Sequence, residues 1–150
     1  MEVLGNKSEA ERLLNEENIG RLAMSSENKP YIVPLCYVYE QGCIYIHSGK
    51  KGQKLEFISK NEQVCFQVDR VSGIKGSSSP CKYNINSRSV LLFGRAEEVA
   101  CSEEKLMALN SLTKAFAGNK PVKSMAQESI DNVTVIKIHV DRMTVRIIGS

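Results

Sequence analysis

The sequence predicts a mainly β domain with peripheral helices, and three observations predict it. Runs rich in β-branched and aromatic residues recur along the chain at 19–25, 31–39, 43–48, 63–71, 88–100, 133–140 and 143–148, with turn residues between them. The run from Gln63 to Val71 alternates, with Val64, Phe66 and Val68 on one side and Gln63, Gln67 and Asp69 on the other. Helical periodicity is confined to short segments near 8–18, 55–58 and 102–118. With 150 residues the chain makes one domain, large enough to bury a core.

Taken in order, Ser8-Glu9-Ala10-Glu11 reads as a capping box. Ala10, Leu13 and Leu14 then share a helical face that covers one end of the fold, and Asn18 ends that helix. Ile19 to Ser25 is the first strand, closed by the turn Ser26–Pro30. The run Tyr31–Tyr39 is apolar on both faces, Tyr31, Val33, Leu35, Tyr37 and Tyr39 on one and Ile32, Pro34, Cys36 and Val38 on the other. Both faces must leave water, so a partner subunit, a flat ligand or the chain's own helices must cover the outer one. Pro34 removes a ladder donor and needs a bulge or a sheet edge.

A Gln41-Gly42 turn leads to Cys43–Ser48, then to the loop Gly49-Lys50-Lys51-Gly52-Gln53-Lys54 and a brief helix around Leu55, Phe57 and Ile58. Beyond the strand 63–71, Ser72 to Pro80 reads as a flexible loop, either gating a pocket or without order. Arg88 to Ala100 is the next strand. Ser102 caps a helix whose stripe is Leu109, Leu112 and Phe116 and whose stop is Gly118. A short helix is expected at 124–128, and the strands 133–140 and 143–148 read as a closing hairpin turned at Asp141-Arg142.

Composition excludes several function classes. A net charge of +3, with the basic residues scattered, gives no footprint for nucleic acid. No apolar run reaches the ~20 residues of a membrane span, and the first residues lack the apolar core of a signal peptide. The five cysteines are odd in number and form no CxxC pair, and Cys43 with His47 is too loose for a metal site. A reducing cytoplasm, with thiols acting as small strand hydrophobes, is the expectation. No Ser-His-Asp order and no paired carboxylates stand out.

The loop GKKGQK is the one chemical motif. Strands delivering a basic loop into a helix start can converge backbone N–H groups, the helix dipole and an ammonium on one phosphate. It lacks the Gly-Lys-Ser/Thr of a nucleotide-hydrolase loop, and a solvated basic turn has the same composition. The surrounding residues add to it. Pro30-Tyr31-Ile32-Val33-Pro34-Leu35, Ile44-Tyr45-Ile46-His47-Ser48, Gly52-Gln53-Lys54-Leu55 and Asn61 resemble the flavin-binding core of the pyridoxamine 5′-phosphate oxidase-like proteins. Gly20-Arg21-Leu22-Ala23, Ser87-Arg88-Ser89-Val90 and Gly94-Arg95-Ala96 fit as well, and the branch most resembled is that of the 5-nitroimidazole-resistance reductases.

That resemblance implies a six- to seven-stranded antiparallel split β-barrel of the FMN-binding type, working as a homodimer with flavin at the subunit interface. It implies Lys54 as phosphate ligand, with Ser48 and Gln53 beside it, and Val33, Pro34, Leu35 and Cys36 along the ring. Arg88 and Ser89 match the segment that approaches from the second subunit. His47 either hydrogen-bonds the phosphate, delivers a proton as the catalytic residue, or merely satisfies a carbonyl. The family's tryptophan-containing C-terminal signature with its Arg-x-His pair is missing, as is its arginine before the flavin, where Ile32 and Val33 stand. Vitamin B6 oxidation is therefore not expected. The expected activity is transfer of electrons from transiently bound NAD(P)H to a small acceptor such as a nitroaromatic. The competing readings are a non-catalytic flavin or haem binder, with His47 or His139 as axial ligand, and a cofactor-free interaction module.

Overall fold

A computed structural model describes residues 1–149. Strands β2 (Ile19–Ser26), β3 (Lys29–Cys36), β4 (Val38–Glu40), β5 (Cys43–Ser48), β6 (Gln63–Lys75), β7 (Asn84–Glu98) and β8 (Thr134–Ile148) form the expected antiparallel barrel sheet. An eighth strand, β1 (Glu2–Leu4), pairs with β8 in parallel. The sheet order is β3-β2-β6-β7-β8-β5-β4. Its first and last strands are consecutive in sequence and joined only through Tyr37. The chain thus bridges both edges of its own sheet and curls it into a barrel sealed at Tyr37 and split beside it.

Tyr37 is built as a rivet. Its N–H donates to the Asn18 carbonyl at 3.1 Å, its hydroxyl donates to the Leu14 carbonyl at 2.8 Å, and its ring meets Phe66 edge-on at 5.2 Å. Two tight turns fix the register on either side. Glu27 and Asn28 (φ 52° and 61°) join β2 to β3, and Gln41 and Gly42 (φ 52° and 77°) join β4 to β5. Positive φ at both central positions is the two-residue turn whose twist matches that of the strands.

The inward residues Leu22, Met24, Ile44, Ile46, Val64, Phe66, Val68, Val90, Leu92, Ile136, Ile138 and Met143 fill the barrel. Helix α1 (Lys7–Glu16) plugs one end with Ala10, Leu13 and Leu14, and α2 (Gln53–Lys60) closes the other with Leu55, Phe57 and Ile58. Helices α3 (Ser102–Ala117) and α4 (Gln127–Asp131) cover part of the outer wall, packing Ala108, Leu109 and Ile130 on Tyr45 and Val135. A clamp holds α3 there. The Glu104 carboxylate accepts from Lys137 Nζ at 2.5 Å and from the Tyr45 hydroxyl at 2.7 Å.

Several local expectations are corrected. Asn6, not Ser8, caps α1, its side chain accepting from the Glu9 N–H at 3.2 Å. Cys101 stands at the start of α3, with no side-chain cap bond, and Ser102 is already helical. The run 31–39 is two strands, because Tyr37 turns the chain from one sheet edge to the other. Residues 72–75 are not loop: β6 and β7 pair as far as Lys75↔Asn84, with a bulge at Ser72, and only the hairpin tip remains irregular. The short final helix lies at 127–131, not 124–128.

Residues 133–148 make no hairpin either. β8 is one strand, and Asp141 is the extra residue of a bulge between Phe93↔Arg142 and Gly94↔Val140. A Cβ on Gly94 would stand 1.9 Å from the His139 carbonyl oxygen, so only glycine lets the bulged strand lie that close.

Candidate functional site

The barrel's split is the candidate site, and its shape follows from strand lengths. β4 pairs with β5 only as far as Val38↔Tyr45, so Ile46, His47 and Ser48 run on with no strand on that side. β3 leaves Tyr37 in the other direction. The two arms diverge from Tyr37, and α2 spans the wide end. The loop 49–52 ties the helix to the β5 arm, and the Phe57 ring lies on the Tyr31 ring of β3 at 5.3 Å. Asn61 fixes the far end, its side-chain amide donating to the Ser25 carbonyl at 3.0 Å.

The β3 arm offers backbone. β3 is the edge strand, and Pro34 is the partner of Arg21 while Pro30 is the partner of Ser25. A proline has no N–H for the ladder, so its nitrogen belongs on the free side. N–H and C=O of one residue point the same way and alternate along the strand, so Val33 and Leu35 bond to β2. The free edge therefore presents the N–H and C=O of Ile32 and Cys36 and the C=O of Pro34. A flat heterocycle with its own donors and acceptors fits such an edge.

Side chains divide by the same parity. Val33 and Leu35 point into the barrel and pack on its core, so they could serve a ligand only through their backbone. Pro34 and Cys36 face outward and are exposed, as is Ile32 at 62%. The outer wall here is bare: Ile19 on β2 is 54% exposed and Leu91 on β7 is 37% exposed. Further along it, Val71, Ile85, Leu91 and Ile148 line an open trough of about 500 Å³ with Ser89, Gln67 and Asp69. Arg21 interrupts this surface and donates from Nη1 to Asp69 Oδ1 at 2.5 Å.

The wide end offers charge. Gly52 starts α2 at φ 144° with no side-chain cap, which leaves the first N–H groups of the helix free. Lys54, in the first turn, is half-buried and makes no ion pair among the described residues. Lys50, Lys51 and Gln53 are exposed, and Ser48 is buried at the end of β5 beside Thr134. His47 is exposed on the outer side of β5.

Helix α2 and the β3 arm are thus brought together through Phe57 and Tyr31, whereas Lys50 borders a recess shared with Glu97 and Glu98 of β7. Arg88 and Ser89 do not join the β3 arm within one chain, since β2 and β6 separate β7 from β3. Arg88 reaches Glu9 of α1 at 3.5 Å, whereas Ser89 faces the outer trough. His139 lies on the outer face of β8, its Nε2 2.8 Å from Glu97. Arg21 sits in no local motif that marks it as a site residue; its position beside Pro34 depends on register, which only the paired strands reveal.

Burial raises the thiol of Cys65 and that of Cys43 above the ordinary range, so neither is primed as a nucleophile. All five cysteines are free. Among the described residues no helix is long and apolar enough to cross a membrane.

A family model described as pyridoxamine 5′-phosphate oxidase matches residues 6–147. Among solved structures, the chain is 29% identical to a proposed 5-nitroimidazole antibiotic resistance protein from Bacteroides thetaiotaomicron (TM-score 0.78, covering 93% of this chain and 82% of that one). It is 26% identical to a FAD-binding protein from Mesorhizobium loti (TM-score 0.66, 93% and 92%). A FAD and haem binding protein from Mycobacterium smegmatis, 15% identical, shares the fold (TM-score 0.87, 97% and 72%).

Proposed function

The chain belongs to the pyridoxamine 5′-phosphate oxidase family, and from that premise we propose that it is a homodimeric FMN protein that reduces a small acceptor with electrons from NAD(P)H. The observation that carries the reading is the pairing of a free, proline-marked strand edge with an uncapped helix start bearing Lys54, across one split. The edge suits the ring and the helix start suits a phosphate. One such phosphate locus favours FMN over a dinucleotide flavin. The bare outer wall supports a second copy, because exposed apolar strands of this extent call for cover. In such a dimer Arg88 and Ser89 of the partner would meet the ring.

When bound, a flavin would supply two-electron redox chemistry between a reduced nicotinamide and the acceptor. The chain's part is to hold and shield. Backbone groups of Ile32, Pro34 and Cys36 orient the ring, Pro34 and Cys36 pack on it, and Lys54 with Ser48 and Gln53 anchors the phosphate. His47, exposed on the outer side of β5, is the proposed proton donor. For a nitroaromatic the balance is one NAD(P)H and one proton consumed, with NAD(P)⁺, a nitroso product and water released. The likeness to the Bacteroides protein supports that acceptor class.

The visible spectrum of the freshly purified protein tests the proposal. Flavin bands that bleach with NAD(P)H and return with a nitroaromatic are expected. A colourless protein that takes up neither FMN nor FAD overturns it; a Soret band would favour haem instead.

A further inference from the structure

We infer that the Arg21–Asp69 pair sets the reduction potential of the flavin proposed to lie along β3, an inference that rests on the flavin reading above. Arg21 is the cross-strand partner of Pro34. Because the Pro34 nitrogen faces the free edge, the two form a non-hydrogen-bonded pair, the geometry in which opposing side chains stand closest. Both leave the barrel on its outer face. The side chains bordering that edge on this face are Ile32, Pro34 and Cys36 of β3 and Ile19, Arg21 and Ala23 of β2. Arg21 is the only charged one of the six.

The partner of Arg21 gives the charge a direction. Asp69 stands on β6, on the far side of β2 from β3, and its carboxylate accepts from the Arg21 guanidinium at 2.5 Å. The pair is therefore a dipole whose positive end is toward Pro34. It is partly sheltered, the Asp69 side chain being 20% exposed and that of Arg21 39%. Reduced flavin carries more negative charge than oxidised flavin, so the guanidinium favours the reduced form and the carboxylate behind it tempers that preference.

The test is the midpoint potential of FMN bound to the wild type, Arg21→Met, Arg21→Lys and Asp69→Asn, measured by equilibration against a redox dye. Titration with oxidised FMN gives the affinity independently. Arg21→Met should weaken reduced relative to oxidised FMN roughly tenfold or more, which lowers a two-electron potential by about 30 mV per tenfold. Asp69→Asn should raise the potential, and Arg21→Lys, which keeps the charge, should stay near the wild type. Shifts of opposite sign cannot come from a shared loss of structure. If Arg21→Met fails to fold, the other two variants still decide. Bound FMN with an unmoved potential, or one moved the same way by Arg21→Met and Asp69→Asn, overturns this inference alone. A wild type that binds no flavin overturns the flavin reading, and this inference with it.

Discussion

Replacing Lys54 by alanine isolates one contact in the proposed site. Lys54 stands in the first turn of α2, half-buried, behind a glycine that provides no side-chain cap. Alanine removes the ammonium but keeps the helix, its free N–H groups and its dipole. The loss should therefore be that of one charge-assisted hydrogen bond, about 1.5–3 kcal/mol, or roughly a 10- to 150-fold rise in the Kd for FMN. Riboflavin has the same ring and no phosphate, so its affinity should be unchanged by the same substitution. Lys50→Ala and Lys51→Ala, at exposed positions, should each cost ~1 kcal/mol or less. Quenching of flavin fluorescence on titration, with both ligands and all three variants, measures every term. An FMN affinity that ignores Lys54, or equal losses for FMN and riboflavin, would refute the placement of the phosphate.

Three further outcomes test the fold and the assembly. Gly94→Ala should destabilise the protein by about 3 kcal/mol, or ~6–12 °C in Tm by calorimetry, since the new methyl meets the His139 backbone; an unchanged Tm would mean the bulge yields. Ile32→Glu, at an exposed outer-wall position, should leave Tm of the monomer near wild type but dissociate the dimer in light scattering; a persisting dimer would place the interface elsewhere. Glu104→Gln tests the α3 clamp. The Lys137 ammonium, and then the Tyr45 hydroxyl, hold the Glu104 carboxyl below its usual range. A depressed carboxylate stabilises the fold above the unfolded pKa, about 4.3, and loses that contribution as pH falls through its folded value. The variant should thus be about 1–2 kcal/mol less stable at pH 7 and closer to the wild type at pH 3 in urea melts, the side chains being 29% and 18% exposed. Equal gaps at both pH values would remove the clamp.

The barrel was legible because β-branched and aromatic runs recur along the chain, because period-two alternation is clean in β6, and because Gln41-Gly42 is turn chemistry that hardly reads otherwise. What misled was punctuation. Asp141-Arg142 resembles a turn only by polarity; it lacks the glycine or asparagine that favours positive φ at the second turn position, and Gly94 on the neighbouring strand is the true signal of a bulge. Ser8 obeys the capping rule, yet Asn6 obeys it better, and two residues of sequence cannot rank them. The edge strand, loop and helix of the proposed site all fall within residues 29–60 and so were read together. Arg21 was not, because its worth lies in which residue faces it across a ladder.

The prolines of β3 answer a difficulty that the fold creates. A bare edge strand beside a bare apolar wall is the arrangement most prone to indiscriminate pairing with another chain. Pro30 and Pro34 fall on one parity, so both missing donors lie on the free side, and Tyr31 and Val33 between them keep their bonds to β2. An incoming strand would find carbonyls without the matching N–H groups at alternate positions. A rigid heterocycle that needs only two or three contacts loses nothing by this. The same substitution pattern that forbids β-addition therefore leaves the edge open to a flat ligand. It also explains how the proposed site can be made chiefly of backbone, with Lys54 and Arg21 as its proposed charged borders: selectivity would lie in which partners the edge refuses.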